Sequence, residues 1–175
     1  MNGLMPDLAV ARSLQLRPPE RRDGAALHDL VAACPPLDLN SRYAYLLLCE
    51  HHAQTSVVAE SDSELVGAIT AYVPPQQPDT LFIWQVAVAE RIRGQKLGTR
   101  MLQHLLQHCV HAQGLRWVET TISPDNLASH NLFTQFAVRH DAGCTTTTLF
   151  AASDFGASGH QAESLYKIGP WDRPA

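Results

Sequence analysis

Charge is scarce in this chain. Asp, Glu, Lys and Arg make up 17% of its 175 residues, and the formal net charge is only −4. That net charge argues against nucleic acid as a partner. The mild acidity suits a small cationic substrate instead. Cysteine is equally sparse: Cys34, Cys49, Cys109 and Cys144 stand far apart with no C-x-x-C pair. That argues against a disulfide scaffold and a thiolate metal site, and predicts reduced, mostly packed thiols in the cytoplasm. No apolar run reaches the roughly 20 residues that span a bilayer, and residues 1–15 lack the apolar core of a signal peptide, so no membrane contact is expected. Two phosphate-loop motifs are missing too. Without G-x-x-x-x-G-K-S/T there is no triphosphatase loop, and without G-x-G-x-x-G after a strand a dinucleotide fold is not expected.

What is present is organised around residues 81–113. Leu81 to Val88 is a nearly continuous apolar and β-branched run, which predicts a strand covered on both faces. Leu97, Met101, Leu102, Leu105, Leu106, Cys109 and Val110 then share one helical stripe, with Gly114 as the stop signal. Between strand and helix lies the basic turn Arg91-Ile92-Arg93-Gly94-Gln95-Lys96-Leu97-Gly98. Backbone N–H groups in such a turn and in the first helical turn have no internal partner and carry partial positive charge, which suits a phosphate or pyrophosphate. Arg93 and Lys96 add two formal charges.

The remaining chain reads as one domain over residues 14–170, with a disordered extension at 1–13 and a short tail at 171–175. A short strand near Leu14–Arg17 precedes a helix starting at Asp23 or Gly24 and stopped by Pro35-Pro36. Asn40 or Ser41 caps a second helix beginning at Arg42. This segment gathers Asp38, Asn40, Ser41, Tyr43 and Tyr45 beside an apolar run, either as an ordinary capped amphipathic helix or as a polar substrate pocket on a loop. Strands are expected at 55–60 and 65–73 with a turn at 61–64, then at 115–122, 145–150 and 165–168. A helix capped by Ser123-Pro124-Asp125-Asn126 falls between the strands at 115–122 and 145–150. His104, His108 and His111 have helical spacing, but their face lies opposite the apolar stripe and no carboxylate or cysteine interleaves; they read as solvated, and no metal is expected.

These residues carry a resemblance. Val86-Ala87-Val88 followed by Arg93-Gly94-Gln95-Lys96-Leu97-Gly98 resembles the coenzyme A loop of the GNAT superfamily of N-acetyltransferases, Q/R-x-x-G-x-G/A after a strand ending in V-x-V. Lys96 departs from the pattern, standing where its first glycine belongs; a lysine is tolerable there if φ is negative. Four further segments, 36–48, 78–88, 119–133 and 162–169, resemble the L-2,4-diaminobutyrate acetyltransferases of ectoine biosynthesis. The resemblance implies an α/β (α+β) GNAT fold, with a mixed, mostly antiparallel sheet flanked by helices, and a homodimer. It implies transfer of acetyl from acetyl-CoA to the γ-amine of L-2,4-diaminobutyrate. Coenzyme A contacts are then expected at Val86, Val88, Arg93, Gly94, Gln95, Lys96, Leu97, Gly98, Thr99 and Asn126. Substrate contacts are expected at Asp38, Tyr43, Trp84 and Glu163, with Asp38 and Glu163 as the anions that hold the α-ammonium. Trp84, Tyr43 and Val86 are the catalytic candidates, Val86 through a backbone N–H that stabilises the oxyanion. Many GNAT proteins protonate the departing thiolate with a tyrosine where this chain has Phe133. Tyr43 or Tyr45 must then supply the proton, or the thiolate leaves unassisted. A GNAT enzyme for another diamine or a protein amine, and a degenerate acyl-CoA-binding module, are the alternatives.

Overall fold

The computed structural model describes residues 14–171. A seven-stranded sheet runs in the order β1-β2-β3-β4-β5-β7-β6. Its strands are β1 (Gln15–Arg17), β2 (Val57–Ser61), β3 (Glu64–Tyr72), β4 (Thr80–Val88), β5 (Trp117–Ile122), β6 (Gly143–Phe150) and β7 (Glu163–Gly169). The pair β4–β5 is parallel and every other pair is antiparallel. Four α-helices flank the sheet: α1 (Gly24–Ala32), α2 (Arg42–His51), α3 (Leu97–Leu105) and α4 (Leu127–Arg139). The GNAT architecture expected from the sequence is the one found.

Local chemistry accounts for the element ends. Asp62 and Ser63 take φ of 52° and 64°, the paired left-handed geometry that closes a two-residue hairpin between twisted strands. Ser41 caps α2 by accepting from the Ala44 N–H at 3.2 Å, and Asn126 caps α4 by accepting from the Ser129 N–H at 3.1 Å. The apolar stripe of α3 is buried as its spacing requires, and continues through a π-turn at Leu106–His111. It packs so closely on β3 that a Cβ at Gly67 would lie 2.8 Å from Leu97 Cδ2. Arg17 ties β1 to the start of α1, donating to both Asp23 oxygens at 2.7 and 3.0 Å and to Glu60. Burial alone would raise the Asp23 pKa, but these bonds and one from the Glu20 N–H hold it below the ordinary carboxylate value.

The structure departs from the sequence reading in several places. Thr55 belongs to a 3₁₀ turn, its hydroxyl donating to the Ala71 carbonyl at 2.7 Å, and β2 starts only at Val57. The run 81–88 is not covered on both faces. Ile83, Gln85 and Ala87 are buried, whereas Trp84, Val86 and Val88 stand partly open. Trp171, expected in the tail, packs on Phe136 with ring centroids 6.1 Å apart, and its N–H donates to the Arg116 carbonyl at 2.9 Å. The extension expected over 1–13, and tail residues 172–175, lie outside the described residues. Among the described residues no helix is long and apolar enough to cross a membrane.

Candidate active site

The open face of β4 exists because β4 and β5 part company. They pair only from Thr80↔Trp117 to Ile83↔Thr120. On the other side of β4 the register jumps from Ala71↔Ile83 to Thr70↔Gln85, leaving Trp84 as the extra residue of a bulge. A bulge bends its strand and sharpens the local twist, so the end of β4 swings away from β5 and a cleft opens. Strand parity decides which backbone groups face it. The Val88 carbonyl accepts from Arg93 Nε at 3.2 Å and Cys34 Sγ at 3.4 Å, while the next residue, Ala89, donates back to Val66 of β3. Val86, two residues before Val88, therefore turns its N–H toward the cleft as well.

One end of the cleft is a groove of about 470 Å³. The expected residues Val86, Val88, Arg93, Gly94, Lys96, Leu97, Gly98, Thr99 and Asn126 all line it; Gln95 does not. The Gln95 N–H donates to the Ile92 carbonyl at 3.4 Å and its amide to the Arg91 carbonyl at 3.5 Å. The chain approaches α3 through Gly94 at φ 80° and Lys96 at φ 61°, ψ 21°. This corrects the expectation of a negative φ at Lys96. This is the left-handed conformation that glycine adopts freely and lysine adopts only under strain. No side chain caps α3, so its first N–H groups are left for an anion in the groove.

Beyond Pro36, Leu37 and Asn126, which line both spaces, lies a cavity of about 230 Å³. It brings Asp38, Trp84 and Glu163 together, as expected, with Gln85, Thr121, Phe155 and His160. Gln85 anchors the Asp38 loop: its amide donates to the Asp38 carbonyl at 2.6 Å and accepts from the Tyr45 hydroxyl at 3.1 Å. Tyr45 is fully buried and also accepts from the Asn40 N–H at 3.4 Å. Burial pushes the Glu163 carboxyl above its ordinary value, against a hydrogen bond from Thr121 and the charge of His160. His160 is stacked on Phe155 at 3.9 Å; Nδ1 lies 2.7 Å from the Gln161 carbonyl and Nε2 lies 3.2 Å from Asp38 Oδ2. The bond to the Gln161 carbonyl, then that to Asp38, raise the imidazole pKa above its ordinary value.

The structure does not bring Tyr43 to either space. It sits on the outer face of α2, 69% exposed, because the buried stripe of that helix is set by Tyr45, Leu48 and Cys49. With Tyr45 locked to Gln85, neither hydroxyl lines the groove where a thiolate would depart. Phe133 is buried in the core. His104 and His108 stack on each other at 5.1 Å, and no metal-binding group occurs among the described residues. His160, Gln85 and Thr121 were not singled out from sequence. His160 lies in a polar loop of ordinary composition, and only its fold-back onto Asp38, 122 residues away, reveals it.

Residues 24–137 match the acetyltransferase (GNAT) family, and the chain belongs to that family. It is an acetyltransferase. The chain is 50% identical to the L-2,4-diaminobutyric acid acetyltransferase of Bordetella parapertussis, over 97% of this chain and 94% of that protein. It is 45% identical to the protein of the same name from Virgibacillus pantothenticus, over 87% of this chain and 95% of that one. Among solved structures, diaminobutyrate acetyltransferase EctA from Paenibacillus lautus superposes with a TM-score of 0.87. It shares 38% identity over 93% of this chain and 98% of that one, and was solved with L-2,4-diaminobutyric acid and coenzyme A.

Proposed function

We propose that this enzyme transfers the acetyl group of acetyl-CoA to the γ-amine of L-2,4-diaminobutyrate, giving Nγ-acetyl-L-2,4-diaminobutyrate for ectoine biosynthesis. The observation that carries the reading is the union of two spaces: an anion-binding groove that opens into a small acidic cavity lined by Asp38, Trp84 and Glu163. The names of the relatives supply the substrate.

In this reading the pyrophosphate of coenzyme A rests on the turn 93–99, with Lys96 and Arg93 as counter-charges. The acetyl thioester lies along β4, its oxygen on the Val86 N–H. Asp38 and Glu163 hold the α-ammonium, and the indole of Trp84 flanks the methylenes. The neutral γ-amine attacks the thioester carbon, the oxyanion is stabilised by the Val86 N–H, and collapse expels the thiolate while the proton shed by the amine nitrogen passes to the thiolate or to water. A free thiol has a pKa of about 8.5, so unassisted departure costs little near neutrality. Direct attack within a ternary complex needs no covalent enzyme intermediate, and none is invoked. Residues 14–170 form the catalytic domain.

Homodimerisation is proposed from the family resemblance, and is supported by the edge strand β6, which is exposed along its whole length and ends in Leu149 and Phe150. The cytoplasm is proposed as the compartment, supported by four free thiols and by the cosubstrate. Turnover of acetyl-CoA with a panel of amines tests the function. Diaminobutyrate should be the preferred acceptor; a preference for a peptide amine would redirect the reading, and no turnover with any amine would make the protein an acyl-CoA-binding module.

A further inference from the structure

The groove and the acidic cavity meet at a neck. Three residues, Pro36, Leu37 and Asn126, line both spaces. The thioester comes from the groove and the amine from the cavity, so the carbon at which they meet lies at this neck. What the neck admits therefore decides which acyl group is transferred.

One wall of the neck is a short strap, residues 34–38, pinned to β4 at both ends. Cys34 Sγ donates to the Val88 carbonyl at 3.4 Å, and the Asp38 carbonyl accepts from the Gln85 amide at 2.6 Å. The two attachment points are three residues apart on β4, about 10 Å at the usual rise of a strand. The strap covers that span by way of a turn, closed by the Leu37 N–H on the Cys34 carbonyl at 3.1 Å. It runs antiparallel to β4, so its middle lies alongside Val86.

The strap offers the acyl group no hydrogen-bond donor. Pro35 and Pro36 have no N–H, and that of Leu37 is committed to Cys34. The thioester oxygen is left to the Val86 N–H. At a trigonal carbon with its oxygen on β4 and its sulfur in the groove, the third substituent points away from both, into the neck. Of the neck residues, Asn126 is held as the cap of α4, its side-chain oxygen accepting from the Ser129 N–H at 3.1 Å, and Pro36 is exposed. Leu37 is half-buried and packs against the core, so its isobutyl group is the apolar bulk held in place there. We propose that Leu37 sets the length of the acyl group, admitting acetyl and rejecting propionyl and longer chains. This rests on the functional reading given above.

Initial rates with diaminobutyrate and acetyl-, propionyl- or butyryl-CoA test it. One methylene in an apolar pocket is discriminated roughly 10–200-fold, and the wild type should prefer acetyl-CoA over propionyl-CoA within that range. Leu37→Ala empties the neck and should raise kcat/KM with propionyl-CoA, relative to acetyl-CoA, tenfold or more. Affinity for free coenzyme A should hold, because the turn 93–99 is untouched. Leu37→Val shortens the side chain by one carbon and should move the ratio the same way by a smaller factor; it carries the test if Leu37→Ala fails to fold. Leu132 lines the groove and not the cavity, so Leu132→Ala should leave the ratio near its wild-type value. A ratio unmoved in a folded Leu37 variant, an equal shift in Leu132→Ala, or a wild type indifferent to chain length overturns the proposal while the function stands. Absence of turnover with acetyl-CoA and diaminobutyrate in the wild type overturns both.

Discussion

Replacing Lys96 with glycine should raise stability and lower coenzyme A affinity at once. Lys96 holds φ 61°, ψ 21° at the entrance to α3, a conformation that costs a non-glycine residue about 1–2 kcal/mol. Glycine removes that cost and adds about 0.5–1 kcal/mol of backbone entropy lost on folding. The net gain is about 0–1.5 kcal/mol, which for a domain of this size raises Tm by up to about 6 °C. The ammonium lost on the same change lines the groove that is assigned to the pyrophosphate. A charge-assisted bond is worth about 1.5–3 kcal/mol at most, and screening at this open turn trims it, so coenzyme A should bind roughly three- to tenfold more weakly. Lys96→Ala separates the two effects, because it loses the charge and keeps the strained φ. It should match the glycine variant in coenzyme A affinity by calorimetry and melt below it. A glycine variant that melts below wild type would refute the strain argument. Unchanged coenzyme A affinity in both variants would refute the placement of the pyrophosphate.

Gly94 sits at φ 80°, which proline cannot adopt. Gly94→Pro should therefore abolish coenzyme A binding by calorimetry while circular dichroism shows the fold retained. Tyr45→Phe strips Gln85 of a donor and the Asn40 N–H of its acceptor. Leaving buried groups unpaired costs about 1–3 kcal/mol, so it should lower Tm and raise KM for diaminobutyrate with coenzyme A affinity unchanged. Phe133→Leu should affect stability and leave kcat within about tenfold of wild type; a hundredfold loss in a folded variant would restore a chemical role to this position. The depressed Asp23 pKa means that the unfolded chain binds more protons as the solution turns acid. The Asp23 contribution is present above the ordinary carboxylate pKa and is lost as pH falls through the lower folded value. Chemical denaturation between pH 3 and 7 should show Asp23→Asn flattening the acid limb of the stability curve.

The groove was legible in the sequence because its chemistry is local. Arg93 to Thr99 follow one another, and the helix they open announces itself by the stripe from Leu97 to Val110. The conformation of Lys96 was not legible, since nothing adjacent to it in sequence dictates the sign of φ; only the family pattern hinted at it. The acidic cavity was half legible. Asp38, Trp84 and Glu163 came from the resemblance, and the structure brings them together through a β4 bulge that no residue pattern marks. Tyr43 misled because helical phase, not proximity to Asp38, decides where a side chain points. Tyr45, two residues on, took the inward position. Trp84, Val86 and Val88 read as buried because an apolar cleft wall and an apolar core have the same composition.

The central claim is that the γ-amine of diaminobutyrate receives the acetyl group. The direct measurement is proton and carbon NMR of the product formed from acetyl-CoA and L-2,4-diaminobutyrate by the purified enzyme. Acetylation shifts the methylene protons beside the γ-nitrogen and leaves the α-proton nearly unmoved, and a single Nγ-acetyl product is predicted. An Nα-acetyl product, a mixture of the two, or unchanged diaminobutyrate under conditions where acetyl-CoA binds would contradict the account.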